Sequence, residues 1–138
     1  MSVSIQWDNP QKTALIMTIT TPWSWNNLES LSDAIEEAFD SVSYDIDMII
    51  DLRSAGKQVP DHVLSQLRDA YAEGTSNLDQ YIFVGATSQF IQQLSIADRY
   101  FTALGGMLNY QCVDTMEEAQ RVTQWKQLIQ RYEAHLAV

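Results

Sequence analysis

Positive charge is scarce in this chain. Eight lysines and arginines stand against eighteen aspartates and glutamates, a formal net charge of −10 over 138 residues. Such a field repels nucleic acid and anionic membrane, so neither is an expected partner. Cysteine is nearly absent. Cys112 has no second cysteine to pair with, and within Tyr110-Gln111-Cys112-Val113 it reads as a small buried hydrophobe in a reducing compartment. Glycine and proline are few (five and three), while 46% of residues are hydrophobic, which is globular and not disordered composition. Long apolar runs are missing too: nothing approaches the ~20 residues of a membrane span. The opening MSVSIQWDNP has neither a basic n-region nor an apolar h-region, and no Asn-x-Ser/Thr acceptor occurs. A cytoplasmic protein without membrane insertion is the expectation.

Motifs of catalysis are also missing. Gly56-Lys57 resembles the end of a phosphate-binding loop, but that loop needs glycine where Asp51 stands and Ser or Thr where Gln58 stands. No G-x-G-x-x-G follows a strand, and no G-x-S-x-G elbow exists. The two histidines, His62 and His135, lack a second histidine or a cysteine at metal spacing, so no metal or other cofactor is expected. Asp51 and His62 could form an acid–base pair, but no nucleophile accompanies them. The chain is therefore read as a non-enzyme.

What is present is a clear alternation of elements. Ser2–Trp7 alternates polar and apolar, Asp8-Asn9-Pro10-Gln11-Lys12 is turn chemistry, and Thr13–Thr20 is β-branched, so a hairpin opens the chain. Leu28, Leu31, Ile35, Ala38, Phe39 and Val42 fall at helical spacing, with Asn26 and Glu29 placed as a capping box. Asp47–Leu52 is a third strand, apolar enough to be buried on both faces. Pro60-Asp61 starts a second helix with Val63, Leu64, Leu67, Ala70 and Tyr71 inward and Gly74 as its stop. Tyr81–Gly85 is a fourth strand. Thr87 or Ser88 caps a third helix with Phe90, Ile91, Leu94, Ala97, Phe101 and Leu104 inward, ended by Gly105-Gly106. Asn109–Val113 is a short fifth strand, and Thr115-Met116-Glu117-Glu118 is a capping box. The final helix carries Ala119, Val122, Trp125, Ile129, Tyr132 and Leu136 as its inward stripe. The order β-β-α-β-α-β-α-β-α predicts one α/β domain over residues 1–138, with a mixed, mostly parallel sheet of four or five strands flanked by helices.

Charge and aromatic placement mark the candidate binding residues. Eight acids and no cation lie between Glu29 and Asp51, a solvated acidic face or a surface for a basic protein. Arg53 and Lys57 are the first cations after Lys12, just past the end of a central strand, where open α/β sheets gather ligands and a helix start favours anions. A small anion or acidic partner fits there; so does simple balance of the acidic neighbour. Asp51 and Ser54 belong to the same segment. Trp23 and Trp25, two apart, share a side if extended, and either line a contact or close the core.

The hairpin IQWDNPQKTALIMTI, the helix start WSWNNL, the strands MIIDL and YIFVGA, and VDTMEEA follow one another in an order that resembles the STAS fold, in particular its SpoIIAA-like branch of anti-sigma-factor antagonists. The resemblance runs from about residue 5 into the final helix. It implies a protein-interaction module that binds either a protein partner or a second copy of the chain. Phosphorylatable members carry Asp-Ser-Ser-Gly at the helix start after the Asp-Leu strand. Here Gln58-Val59-Pro60-Asp61-His62 stands in that place, and Ser54 lies too early, so the phosphoserine switch does not carry over. The alternative is a small apolar or acidic ligand held between sheet and third helix, by analogy with lipid-binding CRAL-TRIO domains.

Overall fold

A computed structural model of the chain describes residues 3–20, 26, 31–56, 77–105 and 109–136. Two strands open it, β1 (Val3–Trp7) and β2 (Ala14–Thr20), paired antiparallel. There follow α1 (Ser32–Asp40), β3 (Ile46–Ser54), β4 (Leu78–Val84), α2 (Ser88–Ala103), β5 (Tyr110–Val113) and α3 (Met116–Leu136). The strands form one sheet in the order β1-β2-β3-β4-β5, with β2 to β5 mutually parallel. This is the expected mixed, mostly parallel α/β architecture. The expected helix from Pro60 and its stop at Gly74 lie outside the described residues, as does Glu29 of the Asn26–Glu29 box. The described part of the first helix begins after Leu31, which makes no side-chain cap.

Turn chemistry closes the hairpin. The Asn9 side chain accepts from the Thr13 backbone N–H (3.3 Å) and donates to the Thr13 hydroxyl (2.6 Å). Lys12 takes up a left-handed φ of 57°. Its ammonium lies 5.7 Å from the centre of the Trp7 ring, and the Tyr44 hydroxyl donates to the Gln11 carbonyl at 2.8 Å.

Alternation along β3 divides the core in two. Ile46, Met48 and Leu52 face one side, where Phe39 of α1 and Phe90, Leu94 and Ala97 of α2 pack around Phe83. Phe83 and Phe90 are tilted at 5.4 Å between centroids. Ile49 faces the other side with Ala14, Ile16, Ile82 and Val84, covered by Ala119 of α3. Burial on both faces explains the continuous apolar run in β3.

Caps set the helix ends. Thr87 accepts from the Phe90 N–H (3.2 Å) and so caps α2, which stops at Gly105 with φ 83°. Thr115 accepts from the Glu118 N–H (3.1 Å), the expected capping-box contact at the head of α3. Asn77 is a cap that periodicity does not reveal: its amide donates to the carbonyls of Phe39 (3.0 Å) and Tyr44 (3.2 Å), tying the end of α1 to the start of β4.

Two expected inward positions of α2 are not inward. Ile91 and Leu104 are exposed, whereas Phe90, Leu94 and Ala97 are buried. Among the described side chains the i, i+4, i+7 set meets the sheet, and Ile91 stands about 100° around the helix from Phe90; the Phe101 side chain lies outside the described ones. Cys112 is likewise exposed and not buried. It lies on β5, an edge strand of the sheet, and a four-residue apolar run cannot distinguish an edge from a centre.

Candidate functional site

The parallel strands end together at one edge of the sheet, where Thr20 pairs with Ser54, Asp51 with Val84, and Val84 with Val113. Three candidate residues stand here on β3. Residues two apart on a strand share a face, so Arg53 folds back on Asp51 as a fork: Nε donates to Oδ1 at 2.9 Å and Nη2 to Oδ2 at 2.8 Å. The Arg53 backbone N–H also donates to Oδ1 at 3.1 Å. The Asp51 side chain is 10% exposed and that of Arg53 51%. Ser54 is exposed at the strand end. The backbone then turns, with the Ala55 N–H donating to the Leu52 carbonyl (3.0 Å) and Gly56 at φ 83°. Trp23, Trp25, Lys57 and His62 lie outside the described residues.

Gly85 makes room for the fork. Its φ is +70°, and a Cβ placed there would stand 2.7 Å from Cγ of Arg53. The arginine stem therefore crosses the end of β4 where no side chain intervenes. One expected anchor of an anion site is thus engaged by a carboxylate of its own strand, and what Arg53 offers a partner is the solvent-facing side of its guanidinium.

The fork sets the charge state of the pair. The Asp51 carboxyl is held below the ordinary aspartate value, first by the Arg53 side-chain hydrogen bond and against the opposing effect of burial. The same bond raises Arg53, which stays protonated throughout. A depressed acid stabilises the fold above its unfolded pKa, and that stabilisation is lost as pH falls through the folded value. Because half of Arg53 is in water, the effect is small, about 0.5–1 kcal/mol. Asp51→Asn is expected to lower stability by that amount at pH 7, and the gap to wild type to close below about pH 4, the unfolded aspartate range. Urea denaturation at pH 7 and pH 3 reads both; a constant gap would contradict the fork.

The last helix presents the largest departure from expectation. Ala119 and Thr123 are buried against the sheet, but Ile129 is 40% exposed, and Trp125, Leu128, Tyr132 and Leu136 between 55% and 66%. Trp125, Ile129, Tyr132 and Leu136 were expected inward. At ~100° per residue they form their own stripe, roughly 130° around the axis from the Ala119–Thr123 line. Val122 lies at the border between the two, half-buried. The 4-3-4 spacing that reads as one inward face is in fact a second apolar face, turned to solvent. Leu128 belongs to it and was not picked out by spacing from Ala119.

A buried polar chain holds the inner face of α3. The Thr123 hydroxyl donates to Oδ2 of Asp47 (3.0 Å), the Gln80 amide to the same oxygen (3.4 Å), and the Gln111 amide to the Gln80 carbonyl (3.1 Å). Asp47 is 1% exposed. A polar residue alternating into an apolar strand is the sequence signal that points to it.

Other chemistry is thin. Desolvation pushes the Cys112 thiol above its ordinary pKa, which disfavours the thiolate. Among the described residues no group of three or more His, Cys, Asp or Glu is placed to hold a metal, and no helix is long and apolar enough to cross a membrane. Comparison with protein-family models, curated proteins and solved structures finds no match to this chain.

Proposed function

We propose that the chain is a non-enzymatic protein-interaction module of STAS-like, SpoIIAA-like type, working without a phosphoserine switch, and that α3 makes its partner contact. The observation that carries this reading is the outward stripe of α3: five large apolar side chains in one line on the solvent side of a helix whose other face is already docked. A helix apolar on two faces needs two partners, and a contiguous patch of this kind marks an interaction site. The order of elements and the mixed sheet support the family reading. Ser54, the one hydroxyl between Arg53 and Asp61, belongs to strand β3 and not to a helix start, which supports the absence of the switch.

The ligand alternative has less behind it, because Phe90, Leu94 and Ala97 seat α2 directly against the sheet. The test of the leading reading is the double variant Leu128→Glu with Tyr132→Glu. Both side chains are more than half exposed, so the fold should persist, with an unchanged circular dichroism spectrum. Affinity purification of the tagged chain from its own cells should retain associated protein with wild type and lose it with the variant. Equal retention by both would remove α3 from the contact.

A further inference from the structure

We infer that the occupant of the α3 stripe is the same stripe of a second copy, the two helices packed antiparallel about a two-fold axis. This rests on the reading of α3 as the contact and names its partner.

The first support is charge. The chain carries −10, and two copies repel one another where that charge is gathered. Helix α3 carries none of it, and neither does α2, where Asp98 stands beside Arg99. The 21 residues of α3 hold Glu117, Glu118 and Glu133 against Arg121, Lys126 and Arg131, a net of zero. The excess of negative charge therefore lies outside this helix, and the stripe is a surface on which two copies can meet without that penalty.

The second support is direction. A parallel pair would set Glu117 and Glu118 beside their own counterparts. In an antiparallel pair with Ile129 near the two-fold axis, the turn carrying Lys126 comes alongside the turn carrying Glu133 of the other copy. Both such pairings occur at once, because a two-fold contact is self-complementary. Helix dipoles also oppose favourably in this arrangement. The stripe repeats at four, three and four residues from Trp125, the spacing that lets two helices interlock side chains.

The third support is area. From their fractional exposures, the five stripe side chains present roughly 600 Å² of largely apolar surface, so a symmetric pair covers about 1,200 Å², the lower bound of a specific interface. The stripe extends over about 17 Å of helix, three turns. A reversible dimer of micromolar affinity matches that size.

Sedimentation equilibrium of the full chain from about 1 to 100 µM, the range that brackets such an affinity, tests this. The expected species at the upper end has twice the chain mass of 15.7 kDa. Lys126→Glu and Glu133→Lys should each weaken the dimer by about tenfold or more, the range of close charge pairs at an interface. The two changes together should restore it to within about threefold of wild type, a readout that a merely misfolded variant does not give. A wild-type chain still monomeric at 100 µM, or a double swap no tighter than either single change, would overturn the proposal. If the wild-type chain is monomeric yet retains another protein that the Leu128→Glu, Tyr132→Glu variant loses, self-pairing fails and the contact reading stands. If neither association occurs, both fail.

Discussion

Gly85→Ala should be the most damaging single-methyl change in the sheet, lowering stability by about 2–3 kcal/mol. Two costs combine. Alanine at φ +70° pays the left-handed backbone penalty of about 1–2 kcal/mol. Its Cβ would also stand 2.7 Å from Cγ of Arg53 and 3.4 Å from Cα of Arg53. The first of these is too close to persist, and Cγ is near the root of the side chain, so the whole arginine must swing away and release Asp51. The protein contains its own control. Gly105 has a similar φ of +83°, but no atom of the described residues lies within 4 Å of a Cβ there. Gly105→Ala should therefore show the backbone cost alone, about 1 kcal/mol. Repeating Gly85→Ala in an Arg53→Ala background removes Cγ and should reduce its cost to that of Gly105→Ala. Thermal unfolding resolves the difference, since each kcal/mol moves Tm by roughly 3–5 °C in a domain of this size. A Gly85→Ala cost that matches Gly105→Ala in the wild-type background would show that Arg53 does not lie across β4.

Thr123→Val is the second large expectation. Valine keeps the shape of threonine and removes only the hydroxyl, so no cavity forms. The Thr123 hydroxyl donates at 3.0 Å to Asp47, whose carboxylate is buried in the sheet at 1% exposure. Removing one donor to a buried acceptor costs about 1–3 kcal/mol. Urea unfolding should show a lower midpoint with unchanged slope. With Asp47→Leu already in place the same substitution should cost under about 0.5 kcal/mol, because the acceptor is gone. Equal costs in both backgrounds would dissolve the link. The link matters beyond stability: Thr123 and Ala119 anchor α3, and the rotation they fix is what turns Trp125, Leu128 and Tyr132 away from the sheet.

Local chemistry was legible wherever one signal acted alone. Thr115 with Glu118 announced the start of α3, Thr87 that of α2, and the turn residues Asn9 to Lys12 the hairpin. Parallel pairing followed from strands alternating with helices, and the apolar run of β3 from its burial on two faces. Arg53 reads from the sequence as an anchor for an anion or a balance to the acidic neighbouring helix, but a strand places it on the same face as Asp51, and that pairing decides what Arg53 can offer. Gly85 and Asn77 could not be found, since each acts on a neighbour more than thirty residues away in sequence. The error in α3 has another cause. Periodicity reports that residues share a face, not which face is covered. Trp125, Ile129, Tyr132 and Leu136 do share one; Ala119 and Thr123, about a third of a turn away, took the sheet, with Val122 packed at the border. Small Ala119 lets the helix approach closely, and the Thr123 bond to Asp47 fixes its rotation. The large side chains are left for something else.

Carbene footprinting with mass-spectrometric readout, run across protein concentration, is the direct measurement of that last point. At nanomolar concentration Trp125 and Tyr132 should label heavily, and Phe39 and Phe83, each at most 2% exposed, hardly at all. As concentration rises into the micromolar range, labelling of Trp125 and Tyr132 should fall while exposed Tyr44 stays constant. Trp125 and Tyr132 as protected at nanomolar concentration as Phe83 would mean that the chain covers its own stripe, and α3 would no longer be a contact surface.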